Sequence, residues 1–295
     1  LRYNPLQPPP AVTPRRWIQV FADVFGHATG LLSASKNYLK RKTRTLFKEY
    51  SAMQDGPPYP SLHDLVEHVK ADTMNYARPT AKYRDRVLNR LTDITAAADT
   101  TLACSTGYPL TELLRRNVVY EFDGLGRDTQ NLLMELLMTA VFMHRLSTDS
   151  RGRGLQHVFL LDEGKRIFSR YKERQDAAGL PEIDALTAQM REFGEALVVA
   201  DQEPSKLTES IKANTYTKIL LGMGSHDQFT AVADSIGLST RQREVARSVG
   251  VGEAVVQVGN DDPVLTRLHD YRLTKSVDDD ALVDRQASLW QALEY

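Results

Sequence analysis

The sequence predicts an α/β protein with a mostly parallel sheet and an all-helical insertion, on three observations. From residue 117 onward, short β-branched and aliphatic runs alternate with helical stretches four or five times, the order that builds a parallel sheet covered on both faces. Two of the runs, Gln156 to Asp162 and Ala196 to Ala200, read as apolar strands buried on both faces. Residues 15 to 116 contain no convincing strand, so they read as a helical insertion or subdomain.

Asn4 to Pro14 holds five prolines, which fit neither a helix interior nor a central strand and mark an extended connection. Helices follow over about Arg15 to Phe25 and Ser33 to Met53. Asp55-Gly56-Pro57-Pro58 breaks the pattern, and Ser61 opens a helix through Val69 with Asp64 placed for a capping box. Asp72 to Ala97 is again helical, interrupted near Pro79. Asn117 to Phe122 (NVVYEF) reads as the first strand and Asp128 to Arg145 as a long apolar helix. Further strands are expected at Gln156 to Asp162, Ala196 to Ala200, Thr217 to Leu221 and Ala254 to Val258. Helices are expected between them at Pro181 to Phe193, Lys206 to Lys212, Asp227 to Ile236 and Arg241 to Ser248. The resulting organisation is 1–30 as a segment entering the core, 31–116 as the helical insertion, 117–275 as the core and 276–295 as a C-terminal helix.

Composition narrows the function classes. Thirty-seven Lys and Arg against thirty-eight Asp and Glu give a formal charge of −1, so no global cationic field holds DNA or anionic lipid, and such a partner must be met by a local patch. Cys104 is the only cysteine, which excludes a disulfide framework and any multi-thiolate zinc site and fits a cytoplasmic setting. No stretch reaches the roughly 18 uninterrupted apolar residues of a membrane span; Glu135 and Thr139 already break the richest, Leu132 to Met143. The chain opens Leu1-Arg2-Tyr3, with no Met and no signal core.

Ligands of open parallel sheets bind beyond the carboxyl ends of the strands, and two such ends carry chemistry. Asp162-Glu163 follows Val158-Phe159-Leu160-Leu161, so an apolar strand delivers two carboxylates to one sheet edge. This is Walker B chemistry: an Asp that holds Mg2+, usually through water, and a Glu that orients or deprotonates the water attacking a γ-phosphate. The same two residues serve equally as an acidic N-cap for a helix over Lys165 to Tyr171. Gln202 ends the strand one crossover later, where a neutral amide can bridge water and γ-phosphate.

These strings, in order, carry a resemblance. Asn4-Pro5-Leu6, a helical insertion, then VVYEFD, HVFLLDEG, MREFGEALVVADQEPS, NTYTKILLGM and GVGEAVVQVGN resemble the HerA/FtsK family of ring-forming P-loop ATPases, within it the HerA-type helicases and the conjugation or type IV secretion ATPases. The resemblance spans nearly the whole chain. It implies a RecA-like fold, a homo-oligomer, most often a hexamer, and ATP hydrolysis coupled to movement of DNA or to secretion, in the cytoplasm or at the inner face of the cell membrane beside conjugation or secretion machinery. It implies ATP and Mg2+ as ligands, Asp162 as the Mg2+-coordinating Asp, Glu163 as the catalytic Glu and Gln202 as the sensor. Arg191, eleven residues before Gln202, matches the arginine that relatives insert into the neighbouring subunit's nucleotide site; a solvated helix Arg would look the same in sequence.

Two departures stand against the family pattern. Asp201 replaces the usual Ser or Thr before the sensor Gln and adds negative charge near the expected triphosphate. No G-x-x-x-x-G-K-S/T occurs; Gly30 to Asn37 is a near miss with Ser35 for the second Gly, Asn37 for the hydroxyl and no preceding strand. In relatives the P-loop precedes the Asn-Pro-Leu segment, so the expectation is that it lies upstream of Leu1 and that these residues alone bind ATP poorly. The alternative is a catalytically inactive RecA-like scaffold or docking subunit.

Other motifs read as structural. Gly124-Leu125-Gly126-Arg127-Asp128-Thr129 lacks the third Gly of a dinucleotide loop and fits a tight turn into a helix. His63, Asp64, Glu67 and His68 have metal-like spacing without further ligands, and the basic run Lys36 to Lys48 is spread around a helix as a solvated face.

Overall fold

In a computed structural model, residues 2–54, 56–73, 80–122, 124–149, 151–170, 187, 189–274 and 276–291 are described. The chain forms two compact units, Leu1–Asn214 and Thr215–Tyr295.

The first unit begins with the proline-rich segment, held by side-chain caps instead of regular structure. Buried Asn4 donates from Nδ2 to the carbonyls of Pro60 (3.1 Å) and Ser105 (2.8 Å), and its Oδ1 accepts the Leu6 N–H; Trp17 Nε1 donates to Pro5 O. Asn4-Pro5-Leu6 is thus a buried staple between distant stretches. Helix α1 (Pro14–Thr29) starts with Pro at its first position, where no N–H is needed, and stops at Gly30, whose positive φ of 69° suits a glycine. Helix α2 (Ser33–Glu49) buries Tyr38, Leu39, Leu46 and Phe47, while its basic run is not the fully solvated face expected: Lys36, Lys40, Lys42 and Arg44 are half-buried, and Lys42 pairs with Asp72 at 2.8 Å. It is four residues shorter than expected. Helix α3 (Leu62–Lys70) shows the expected capping box, Ser61 Oγ accepting from the Asp64 N–H and Asp64 Oδ2 accepting from the Ser61 N–H. Helices α4 (Thr80–Ala97), α5 (Asp99–Leu102) and α6 (Leu110–Leu113) follow; the expected break near Pro79 lies outside the described residues.

Helix α7 (Arg127–Ser147) is the centre of this unit, apolar nearly all round because it is buried nearly all round. It packs against α1, and between the two helices His27 Nδ1 meets both oxygens of Glu135 at 2.7 and 2.8 Å. Strands β1 (His157–Asp162) and β2 (Glu195–Ala200) pair in parallel, as expected, in register from His157 with Glu195 to Asp162 with Ala200. Arg145 Nε and His157 Nδ1 both bond the fully buried Glu195, at 2.7 and 2.8 Å, which fixes the end of α7 to the first residues of both strands.

Several local expectations are corrected. Asn117 to Phe122 forms no strand; its backbone has no ladder partner among the described residues, and Val119 is 85% exposed. β1 and β2 are buried on one face only: Phe159, Leu161, Leu197 and Val199 pack on the helical core, while Leu160 is 75% exposed and Val158 and Val198 lie on the same outer side. The helix expected over Lys165 to Tyr171 is a 3-10 turn, Gly164–Arg166, with Tyr171 outside the described residues. Most of Pro181 to Phe193 also lies outside them, and its end is a 3-10 turn, Arg191–Phe193. Lys206 to Lys212 divides into a 3-10 turn, Pro204–Lys206, and helix α8 (Glu209–Asn214), because Leu207 takes an extended backbone between them.

In the second unit, β3 (Thr217–Leu220), β4 (Glu253–Val258) and β5 (Val264–Arg267) form one sheet with helices α9 (His226–Ile236) and α10 (Thr240–Arg247) between the first two strands. The sheet is antiparallel, which corrects the parallel continuation inferred from strand and helix alternation. β5 was not anticipated; it runs back beside β4 after the turn at Gly259 to Pro263. Phe229, Ala233, Ile236, Ala246, Leu220 and Val255 make this unit's own core. Helix α11 (Asp279–Gln291) ends the described chain. Among the described residues, no helix is long and apolar enough to cross a membrane.

Candidate functional site

The parallel register brings the two singled-out strand ends together. Asp162 lies beside Ala200, so Asp162-Glu163 and Asp201-Gln202 leave the sheet at the same edge, with Asp162 and Gln202 exposed. Asp162 Oδ1 accepts the Glu163 N–H at 3.0 Å. Glu163 sits at φ 55°, ψ 53°, a left-handed conformation costing a non-glycine residue on the order of 1–3 kcal/mol, and one that recurs where a side chain must be aimed. The turn after it presses onto β2 so closely that a Cβ on Gly164 would stand 2.2 Å from Val199 Cγ1, so only glycine fits.

Two polar networks frame this edge. In the first, Arg166 donates through Nε to Glu163 Oε2 at 2.5 Å, forms an ion pair with the same oxygen through Nη2, and donates through Nη1 to Gln130 Oε1. Gln130 Nε2 in turn donates to the carbonyls of Phe122 (2.9 Å) and Leu125 (2.8 Å). In the second, Asp201 turns inward with a side chain 2% exposed; its Oδ2 accepts the Lys165 N–H and its Oδ1 the Glu203 N–H, both at 2.7 Å. Lys165 Nζ lies 3.6 Å from Asp201 Oδ1 and 2.9 Å from Glu203 Oε2. The hydrogen bond to Glu203 raises the Lys165 pKa, and Lys165 with Lys206 draws the Glu203 carboxyl down to about 2. The extra negative charge expected from Asp201 is therefore matched by Lys165 and spent on joining the two strand ends.

Arg191 is not part of this cluster. It is exposed in the turn before β2, and six residues of strand at about 3.3 Å each put it roughly 20 Å from Gln202 along the sheet. Beside β1, a cavity of about 630 Å³ runs under the 118–122 segment, walled largely by Leu, Val and Met side chains, with Asp162, Glu163 and Arg166 at one end. Its apolar walls do not suit a triphosphate.

No three metal-ligating side chains cluster among the described residues. One exposed carboxylate at a strand tip, Asp162, suits Mg2+, which keeps most of its waters and takes one or two protein ligands. The metal-like set on α3 is structural: Asp64 closes the capping box, His68 pairs with Glu49 at 3.1 Å and Glu67 with Lys70 at 2.8 Å. The Gly124 to Thr129 string is a turn, with Gly126 as N-cap of α7. Sequence reasoning missed Arg166, Gln130 and Lys165. The signals were present in the three-residue spacing of Glu163 and Arg166 and in an acid, Asp201, that required a cation.

No family model matches the sequence, and no match is found among curated proteins. Among solved structures, VirB4 of Thermoanaerobacter pseudethanolicus aligns over 92% of this chain and 74% of its own at a TM-score of 0.62 and 16% identity. The bacterial conjugative coupling protein TrwBdeltaN70 aligns over 85% and 68%, at 0.57 and 11%. The genome packaging NTPase B204 from Sulfolobus turreted icosahedral virus 2 aligns over 55% and 72%, at 0.41 and 16%. The chain shares its RecA-like α/β fold with VirB4 and TrwBdeltaN70.

Proposed function

We propose that the chain is the motor subunit of a HerA/FtsK-type ATPase that serves conjugative DNA transfer or type IV secretion. The observation that carries this reading is the convergence of Asp162, Glu163 and Gln202 at one edge of a parallel strand pair, in a fold shared with VirB4 and TrwB. Asp162 would hold the Mg2+ of Mg-ATP through water, and that ion would draw charge from the phosphate oxygens. Glu163 takes the proton of the attacking water, and Gln202 orients that water against the γ-phosphate. Arg191 serves the site of a neighbouring subunit in a homo-oligomeric ring, most simply a hexamer, with DNA as cargo, in the cytoplasm or at the inner face of the membrane.

Glu163→Gln tests the reading in the protein expressed from its complete gene. ATP turnover should fall by a factor of about 100 or more while Mg-ATP binding, followed by a fluorescent nucleotide, persists. Turnover at the parental rate would sink the assignment and leave the scaffold reading, in which the fold is kept without catalysis.

A further inference from the structure

We propose that Arg151 positions Arg191 for the nucleotide site of the neighbouring subunit, an inference that rests on the reading of Arg191 as an arginine acting across the ring interface. Arg191 opens the 3-10 turn Arg191–Phe193 ahead of β2, and it is exposed with no ion pair among the described residues. The other two residues of the turn are held by one guanidinium. Arg151 Cζ lies 5.2 Å from the centre of the Phe193 ring, and Arg151 Nε lies 3.7 Å from Glu192 Oε2. Phe193 is itself buried and packs edge-on against Phe142 of α7, with ring centres 5.6 Å apart.

The backbone reinforces this contact. Gly152 N–H donates to Glu192 O at 3.2 Å, and the Gln156 and His157 N–H groups both donate to Gly194 O, at 2.7 and 3.2 Å. Gly194 closes the turn so near the Gly154 carbonyl that a Cβ there would collide with it. The 151–157 stretch is therefore laid along the turn that carries Arg191. An arginine that acts across a subunit interface must present its guanidinium in one place, because a misplacement of about 1 Å can cost about 10^2-fold in rate. The fold itself gains little from Arg151: in its pair with Glu192 the two side chains are 63% and 64% exposed, where solvent screens the charges. Its two contacts aim the turn more than they hold the unit together.

The test uses the protein expressed from its complete gene. Arg151→Ala should lower kcat for ATP by about tenfold or more with KM within about twofold, while Tm moves by no more than about 4 °C. Arg151→Gln, which loses the charge but keeps most of the side chain's length, should show the same loss and serves if Arg151→Ala does not fold. In an Arg191→Ala background, Arg151→Ala should lower kcat no further, because a residue that acts only through Arg191 has nothing left to position. Mixed in equal amounts with Glu163→Gln and allowed to assemble, Arg151→Ala should reach about a quarter of the parental rate, well above its own, since its intact Glu163 can receive a well-held Arg191. A defect confined to its own β1 would instead give about half the rate of Arg151→Ala alone. That result, an added loss on top of Arg191→Ala, or parental turnover in Arg151→Ala beside an inactive Arg191→Ala, overturns the positioning role and leaves the reading of Arg191 standing. Parental turnover in Arg191→Ala overturns both.

Discussion

Single residues at the strand ends act by filling space and closing hydrogen bonds, so their loss has calculable consequences. Gly164 is the sharpest case. A methyl group there meets Val199 Cγ1 at 2.2 Å, so Gly164→Ala must push the turn off β2 and carry Glu163 with it. Overpacking of this kind costs about 1–3 kcal/mol, and urea unfolding should show a loss in that range with a fall in turnover. The double variant Gly164→Ala, Val199→Ala should recover part of the turnover because the obstructing methyl is gone; failure to do so would place the defect elsewhere. Asp201 makes a different prediction. Its carboxylate satisfies two backbone N–H groups, those of Lys165 and Glu203, so Asp201→Ala leaves both unpaired and should cost about 1–3 kcal/mol. Asp201→Asn keeps one acceptor oxygen and should lie nearer the parent in the same unfolding assay.

At the scale of elements, the buried contact of α7 with both strands depends on one carboxylate. Burial alone would raise the Glu195 pKa; hydrogen bonds from His157 and Arg145 outweigh it and hold the carboxyl below its usual range. A depressed folded pKa adds stability that is fully present above the unfolded carboxylate value of about 4.3 and is lost as pH falls through the folded one. Glu195→Gln should therefore cost about 3 kcal/mol at pH 7, the penalty of breaking a buried pair, and the gap from the parent should shrink below about pH 4. Equal gaps at both pH values would show that the charge of Glu195 is not what stabilises the junction. The same elements show what sequence could reveal. Ser61 with Asp64 announced a helix start because capping is local, and α7 was legible because an all-round apolar helix has few other readings. NVVYEF has strong strand propensity but no ladder partner in the described chain, and propensity cannot supply one. Val158 to Leu161 looked buried on both sides because an apolar run records what a strand is able to pack against, not what covers it. The Asp162, Glu163 and Gln202 edge was legible because parallel pairing converts equal positions at two strand ends into neighbours. The Arg166 to Gln130 contact joins residues 36 apart across two elements and leaves no periodic trace.

For the whole molecule, the decisive distance is that between Arg191 and the carboxylate edge. One lies before β2 and the other beyond it, about 20 Å along the strand, so Arg191 cannot reach the nucleotide site of its own chain while β2 is intact. If it contributes to hydrolysis, it does so across a head-to-tail interface, where the surface around Glu163 of one subunit meets the surface around Arg191 of the next. Complementation follows from that geometry. Arg191→Ala alone should lower turnover by about 10^3-fold or more, the range of an arginine finger, and Glu163→Gln should be comparably inactive. Mixed and allowed to assemble, the two should regain activity, because a subunit with an intact Glu163 can receive the intact Arg191 of its neighbour. In rings assembled at random from equal amounts, roughly a quarter of interfaces pair one with the other, so the mixture should recover about that share of the parental rate. A mixture no more active than its components, with assembly confirmed by light scattering, would remove Arg191 from the catalytic machinery and return it to the solvated surface on which its side chain lies.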